Sequence, residues 1–166
     1  MDCTILAVDD EPANLRMIER LLRKEYRVLT ATSGEDALEV LKHEDVSLII
    51  TDQRMPGLSG VELLRESLRT NPDAMRIILT GYTDTDALID AINTTRVYKF
   101  VSKPWDPVHL KRTIDEAVRQ HRLATERKKL LEGLVALVNG SPTIFACEPE
   151  NGRAFLDASV LEETVG

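Results

Sequence analysis

Cysteine is scarce in this chain of 166 residues: Cys3 and Cys147 are the only two, near opposite ends and without metal-ligand spacing. Both are read as reduced thiols, which excludes a disulfide framework and a thiolate metal site. No apolar run approaches the ~20 residues that span a bilayer, and the acidic start Met1-Asp2-Cys3 is not a signal peptide. Membrane insertion is not expected, and the expected location is cytoplasmic. Positive charge is in deficit too: 21 Lys and Arg face 28 Asp and Glu, a net charge of −7. That balance argues against direct, sequence-independent binding to nucleic acid or to an acidic membrane. Tryptophan occurs once, at Trp105, so any tryptophan signal reports on one position. With 43% apolar and 30% charged residues the composition is that of a soluble globular chain, long enough for one good core and an appendage.

What is present is a repeated pattern. Ile5-Leu6-Ala7-Val8 runs into Asp9-Asp10, and Leu48-Ile49-Ile50-Thr51 into Asp52. Ile77-Ile78-Leu79 runs into Thr80, and Phe100-Val101-Ser102 into Lys103-Pro104. Each run is short, β-branched and bounded by turn residues, which reads as a strand buried on both faces. A more polar run over 26–31 reads as an edge strand. Between the strands lie helical spacings. Leu15, Ile18, Leu21 and Leu22 follow a Glu11-Pro12 start, and Ala37, Leu38 and Leu41 follow Ser33-Gly34. Val61, Leu64 and Leu68 follow the tight loop Pro56-Gly57 with Ser59-Gly60, and Asn71-Pro72 ends that helix. A short helix is expected over 84–93 and a last strand over 97–101. The chain then passes Pro104 into a long final helix, with Leu110, Ile114, Ala117 and Val118 suited to packing on the sheet. Repeated β-α units imply right-handed crossovers and a parallel sheet covered on both faces.

Ligands of such sheets bind outside the carboxyl ends of the strands. Three carboxylates, a hydroxyl and an ammonium would meet there. Asp9, Asp10 and Asp52 cannot all stay ionised in a partly buried pocket without a counter-charge. A hard divalent cation such as Mg²⁺ suits oxygen ligands and leaves room for a phosphate. An Asp beside it can act as nucleophile and form an aspartyl phosphate. Lys103 and the Thr80 hydroxyl can then contact phosphoryl oxygens. The Lys103-Pro104 bond is a site where a cis peptide is cheap. Taken singly, each residue has an ordinary reading: a helix cap, a turn acid, a strand end, a surface lysine. Their joint order and separation carry the inference.

The motifs Val8-Asp9-Asp10-Glu11-Pro12, Thr51-Asp52-Gln53-Arg54-Met55-Pro56-Gly57 with Ser59-Gly60, Thr80-Gly81 and Ser102-Lys103-Pro104-Trp105 resemble those of the receiver domain of bacterial two-component response regulators. The resemblance spans about residues 4–121. It implies a doubly wound, flavodoxin-like α/β fold with a five-stranded parallel sheet in the order 2-1-3-4-5. It implies that Asp52 accepts the phosphoryl group from a sensor histidine kinase or a histidine phosphotransfer protein. Asp10 and Asp52 would be Mg²⁺ ligands, with Asp9 acting through water and the backbone carbonyl of Arg54 completing the protein's share. Thr80 and Lys103 would contact phosphoryl oxygens, and Phe100, rather than Tyr98, would be the aromatic switch residue. Such a receiver is a switch and not an enzyme acting on a separate substrate.

Some residues depart from the common pattern. Arg54 lies two residues after Asp52 and Tyr82 two after Thr80, both bulky and near the expected phosphate. Trp105 follows Lys103-Pro104 where many receivers carry Phe, which resembles receivers attached to HD-GYP cyclic-dinucleotide phosphodiesterases. This chain as the regulatory fragment of such an enzyme is the alternative reading. A haloacid-dehalogenase-like phosphatase fits poorly, because its second Asp would stand two residues after the first-strand nucleophile.

The organisation expected is a receiver over 1–121, a helical linker over 122–138 and a tail or the start of an output domain over 139–166. In the linker Leu130, Leu131, Leu134, Val135, Leu137 and Val138 form an apolar stripe too large for an isolated solvated helix. It pairs with a second subunit, making a homodimer, or it is covered by its own chain or another domain. The tail is expected to hold a short strand over 143–147, a turn over 148–152 and a helical piece over 153–160. It carries no recognition helix, basic stripe, His-Asp metal pair or GGDEF-type loop.

Overall fold

A computed structural model describes residues 3–81, 95–140, 145–147 and 154–156. The expected helix over 84–93, the residue Tyr82 and the turn over 148–152 lie outside them. The chain divides into two compact units, Met1–Leu123 and Ala124–Gly166.

The first unit is built on strands β1 (Thr4–Val8), β2 (Arg27–Ala31), β3 (Leu48–Asp52), β4 (Met75–Thr80) and β5 (Lys99–Ser102). All neighbours are parallel, in the order β2-β1-β3-β4-β5. The flavodoxin-like expectation therefore holds. Helices α1 (Pro12–Leu22), α2 (Gly34–His43), α3 (Gly60–Thr70) and α4 (Pro107–Gly140) connect or follow the strands.

Side-chain alternation sorts two cores. Ile5, Ala7, Leu48, Ile50, Ile77, Leu79 and Val101 face one way and meet Leu15, Ile18 and Leu22 of α1 and Leu110, Ile114, Ala117 and Val118 of α4. Leu6, Val8, Ile49 and Ile78 face the other way, onto Ala37 and Leu41 of α2 and Val61, Leu63 and Leu64 of α3. Period 2 on the strands and period 3.6 on the helices generate both layers. Each fully buried Leu or Ile contributes about 1.5–3 kcal/mol.

Local signals set the helix ends. Pro12 occupies the first turn of α1, where its missing N–H is not needed. Ser33 caps α2 through the Asp36 N–H, and Ser59 with Glu62 forms a capping box on α3. Asn71 leaves helical geometry at φ −126°, ψ 67° ahead of Pro72.

Three expectations need correction. β5 is not buried on both faces: Lys99 and Ser102 are exposed, Phe100 is half-buried and only Val101 is buried, because β5 is a sheet edge. The final helix starts at Pro107, a second helix-opening proline that the sequence reading passed over. In the tail, β6 (Phe145–Cys147) matches the expected short strand, but a second strand, β7 (Ala154–Leu156), replaces the start of the expected helix. The two pair antiparallel with Phe145 opposite Leu156, and Ala154 and Leu156 stand at the two-residue alternation of a strand, so strand pairing replaces the helical expectation over Ala154–Leu156.

Candidate phosphoryl and metal site

Parallel strands bring the ends of β1, β3, β4 and β5 to one edge. Asp9 is the first residue beyond β1, and its amide still donates to Ala31 O at 3.3 Å. Its carboxylate, fully buried, accepts from the Glu11 amide at 2.8 Å and from Asn14 Nδ2 at 3.1 and 3.0 Å. This Asx-type turn ties the acid to the entrance of α1. Asp10 beside it is exposed.

Asp52 ends the fully buried β3. The Gln53 amide donates both to Asp52 Oδ1 and to Leu79 O, each at 2.9 Å, which holds the carboxylate against the β4 ladder. Gln53 Oε1 in turn accepts from the Val61 amide at 3.2 Å, at the start of α3. Gly60 lies so close that a Cβ there would stand 2.3 Å from Asp52 O. Beyond Asp52 the loop passes exposed Arg54 and turns at Gly57, where φ is +79°. Glu35 of α2 holds this turn by accepting the Leu58 amide at 3.2 Å.

Lys103 is delivered from β5. Its amide donates to Thr80 O at 2.8 Å, and the peptide bond to Pro104 is cis, as the sequence suggests. Its ammonium bridges Asp52 Oδ1 at 2.9 Å and Asp9 Oδ2 at 3.2 Å and lies 5.6 Å from the centroid of the Trp105 ring. Burial pushes the Asp52 carboxyl above its ordinary range, and the Asp9 charge adds to this while Lys103 and the Gln53 amide oppose it. For Lys103, burial disfavours the ammonium, but the Asp52 and Asp9 carboxylates outweigh it and hold the pKa above the usual lysine value.

The residues singled out in the sequence thus fall into groups. Asp9, Asp10 and Asp52 come together, one oxygen of each within 4.8 Å of the others, and Lys103 joins two of them. Three hard oxygen donors with a single bridging ammonium fit a divalent cation that keeps some of its waters. Thr80 is buried at the end of β4 with its hydroxyl on Gly81 O at 3.1 Å, and Phe100 is half-buried against the α2/α3 side of the sheet. Thr80 and Phe100 share that face by alternation, whereas Tyr98 is 36% exposed. Sequence reasoning missed Asn14, Gln53 and Glu35. The first two sit within five residues of an acid in turn-rich segments; Glu35 bonds a residue 23 positions away, which no local spacing marks.

Known proteins bear on this geometry. The family model described as the response regulator receiver domain matches residues 5–115. The hydrogenase transcriptional regulatory protein HoxA of Cupriavidus necator is 41% identical over 127 residues, covering 76% of this chain and 26% of that protein. This chain therefore spans about a quarter of the length of that relative. A solved structure described as adenylate cyclase from Rhodopirellula baltica is 32% identical, with TM-score 0.75, covering 80% of this chain and 98% of the other. The signal receiver domain of an HD domain-containing protein from Pseudomonas fluorescens Pf-5 is 31% identical, with TM-score 0.71, covering 75% and 93%. The HD-GYP reading drawn from Trp105 is not favoured, since the higher identity is to a transcriptional regulatory protein. A carboxylate–lysine edge on a 2-1-3-4-5 sheet and a family match over most of the chain lead to one conclusion: the chain belongs to the response regulator receiver domain family.

Proposed function

We propose that Asp52 is the phosphoacceptor of this receiver and that the donor is a sensor histidine kinase or a histidine phosphotransfer protein. An Asp52 oxygen attacks the phosphorus of the phosphohistidine, the P–N bond breaks, and the acyl phosphate forms. Asp10, Asp52 and the Arg54 carbonyl would hold Mg²⁺, with Asp9 acting through water. Bound there, Mg²⁺ supplies charge neutralisation between the acceptor carboxylate and the phosphoryl oxygens. Lys103 stands ready to leave Asp52 Oδ1 for a phosphoryl oxygen. The Thr80 hydroxyl gives up Gly81 O for another, and Phe100 follows into the space vacated. The outcome is a switched surface around β5 and α4, read by a partner.

The observation that carries this reading is the bridge of Lys103 Nζ to Asp52 and Asp9, three side chains delivered by three strand ends. With Mg²⁺ and a small acyl phosphate, Asp52→Asn is expected to abolish acid-labile, hydroxylamine-sensitive phosphorylation. Asp10→Ala is expected to lower the Mg²⁺ affinity by about tenfold or more, since loss of even an outer-shell partner costs about that much. Full labelling of Asp52→Asn would sink the assignment.

The kinase as donor places this switch in the cytoplasm, and no helix among the described residues is long and apolar enough to cross a membrane. Within this reading α4 also serves assembly, pairing with a second copy through the stripe that ends at Val138. The support is exposure: Leu130 is 70%, Leu134 58% and Leu137 63% exposed. The transcriptional role of the HoxA relative belongs to a protein nearly four times the span matched here, and the net charge of −7 argues against direct nucleic-acid binding by this segment itself.

A further inference from the structure

We propose that Trp105 is a positioning residue for phosphoryl binding, acting through the face of its indole ring on the Lys103 ammonium. The inference rests on the role given above to Lys103. Among the described residues the ammonium has three partners: Asp52 Oδ1, Asp9 Oδ2 and the Trp105 ring, whose centroid is 5.6 Å away. That distance lies within the range of cation–π attraction, for which Trp is the strongest ring. The ring is itself fixed, half-buried and packed against the core shared by α1 and α4.

The indole carries a cost at this position. Trp105 Nε1 is buried without a hydrogen-bond partner among the described residues, and a buried unpaired donor is unfavourable. A phenyl ring would fill similar space with no orphaned N–H. What the indole adds over phenyl is a more negative π-face beneath Lys103. The three partners also differ in how they respond to reaction. Phosphorylation takes up an Asp52 oxygen, and a cation shared by the carboxylates would compete with Lys103 for Asp9 and Asp52. The ring binds no cation ligand set and imposes no single hydrogen-bond direction. It keeps the ammonium at the site while its anionic partners change.

Because Trp105 is the only tryptophan, replacing tryptophan throughout the chain by mono-, di- and trifluorotryptophan changes one ring. Fluorination drains the π-face stepwise and leaves the shape nearly constant. Two readouts are taken with Mg²⁺: the dissociation constant of beryllofluoride and the rate of phosphorylation by acetyl phosphate. Both are expected to worsen monotonically with fluorination, reaching about two- to fivefold, the factor equivalent to about 0.5–1 kcal/mol of lost cation–π attraction. Trp105→Phe is expected to fall within the series and Trp105→Leu at or beyond its end. A flat response across the fluorinated series overturns the proposal, even where Trp105→Leu is impaired, because a space-filling role would give that result. Failure of the phosphoacceptor reading is separate and shows as absence of Asp52-dependent labelling in the unsubstituted chain.

Discussion

Asp9 and Asp52 are both buried, yet they are held by different means. Both accept Lys103, but Asp9 has in addition a local cage of the Glu11 amide and Asn14, whereas Asp52 has the Gln53 amide. The more weakly held acid is the one free to change its covalent state. The same contrast bears on how long that state lasts. Hydrolysis needs a water in line with the phosphorus, opposite the Asp52 oxygen. Arg54, two residues on, offers no carboxylate or amide to orient it, and Tyr82 is expected to occlude the approach. A long-lived acyl phosphate is expected. Replacing Arg54 by Asn and Tyr82 by Asp, a small acid, should shorten its half-life severalfold, followed as loss of acid-labile phosphate after donor removal. An unchanged or longer half-life would place control of the lifetime elsewhere.

Among elements, the junction of β3 and α3 governs how well the acceptor is placed. The Gly60 amide donates to Gln53 O at 3.1 Å, the Val61 amide to Gln53 Oε1, and the Ser59–Glu62 capping box closes the turn. Gly60→Ala would drive a methyl into Asp52 O and the Gln53 Cα, both backbone atoms that cannot step aside. A loss of about 1–3 kcal/mol of unfolding free energy is expected from such overpacking, measured by urea denaturation, together with slower phosphorylation. Retention of full stability and rate would show that the loop adjusts freely.

The strand end and the helix start at this junction were legible because each is local: an apolar run, its terminal residue, a tight loop before the next apolar spacing. The close approach at Gly60 was visible only as a turn glycine. Burial of Arg76 was not legible at all. It lies beside Ile77 in β4 and is 1% exposed, with its guanidinium on Ser67 Oγ and on the carbonyls of Asn71 and Ala74 beyond α3. Desolvation, with Arg96 adding, lowers its pKa to about 10. A charged residue at a strand start reads as solvent-facing unless the carbonyls that receive it are known. The Tyr26 hydroxyl donating to Asp115 at 2.7 Å spans 89 residues and was hidden for the same reason. The helical expectation failed over Ala154–Leu156, because a three-residue strand has too little period to announce itself.

For the whole molecule, the exposed stripe sets the expected assembly. Each Leu or Val buried in a pairing contributes about 1.5–3 kcal/mol before the cost of association. The chain is expected to be dimeric at micromolar concentration. Truncation after Gln120 should leave a monomer that still phosphorylates, since Leu110, Ile114, Ala117 and Val118, the part of α4 packed on the sheet, are retained. Sedimentation showing the full chain monomeric would overturn the pairing.

The burial gradient across the sheet has a further consequence. Every residue of β3 is buried, and the first strand with a surface of its own on that side is β5, two positions away. At about 4.8 Å per strand spacing, β3 lies roughly 10 Å from that exposed strand, although Asp52 itself opens at the strand ends beside the exposed Asp10. A partner that docks on β5 therefore senses the chemistry as a sideways mechanical relay through β4. Insulation and readability are divided between strands, so the surface that communicates can diversify in sequence while the buried centre keeps one chemistry.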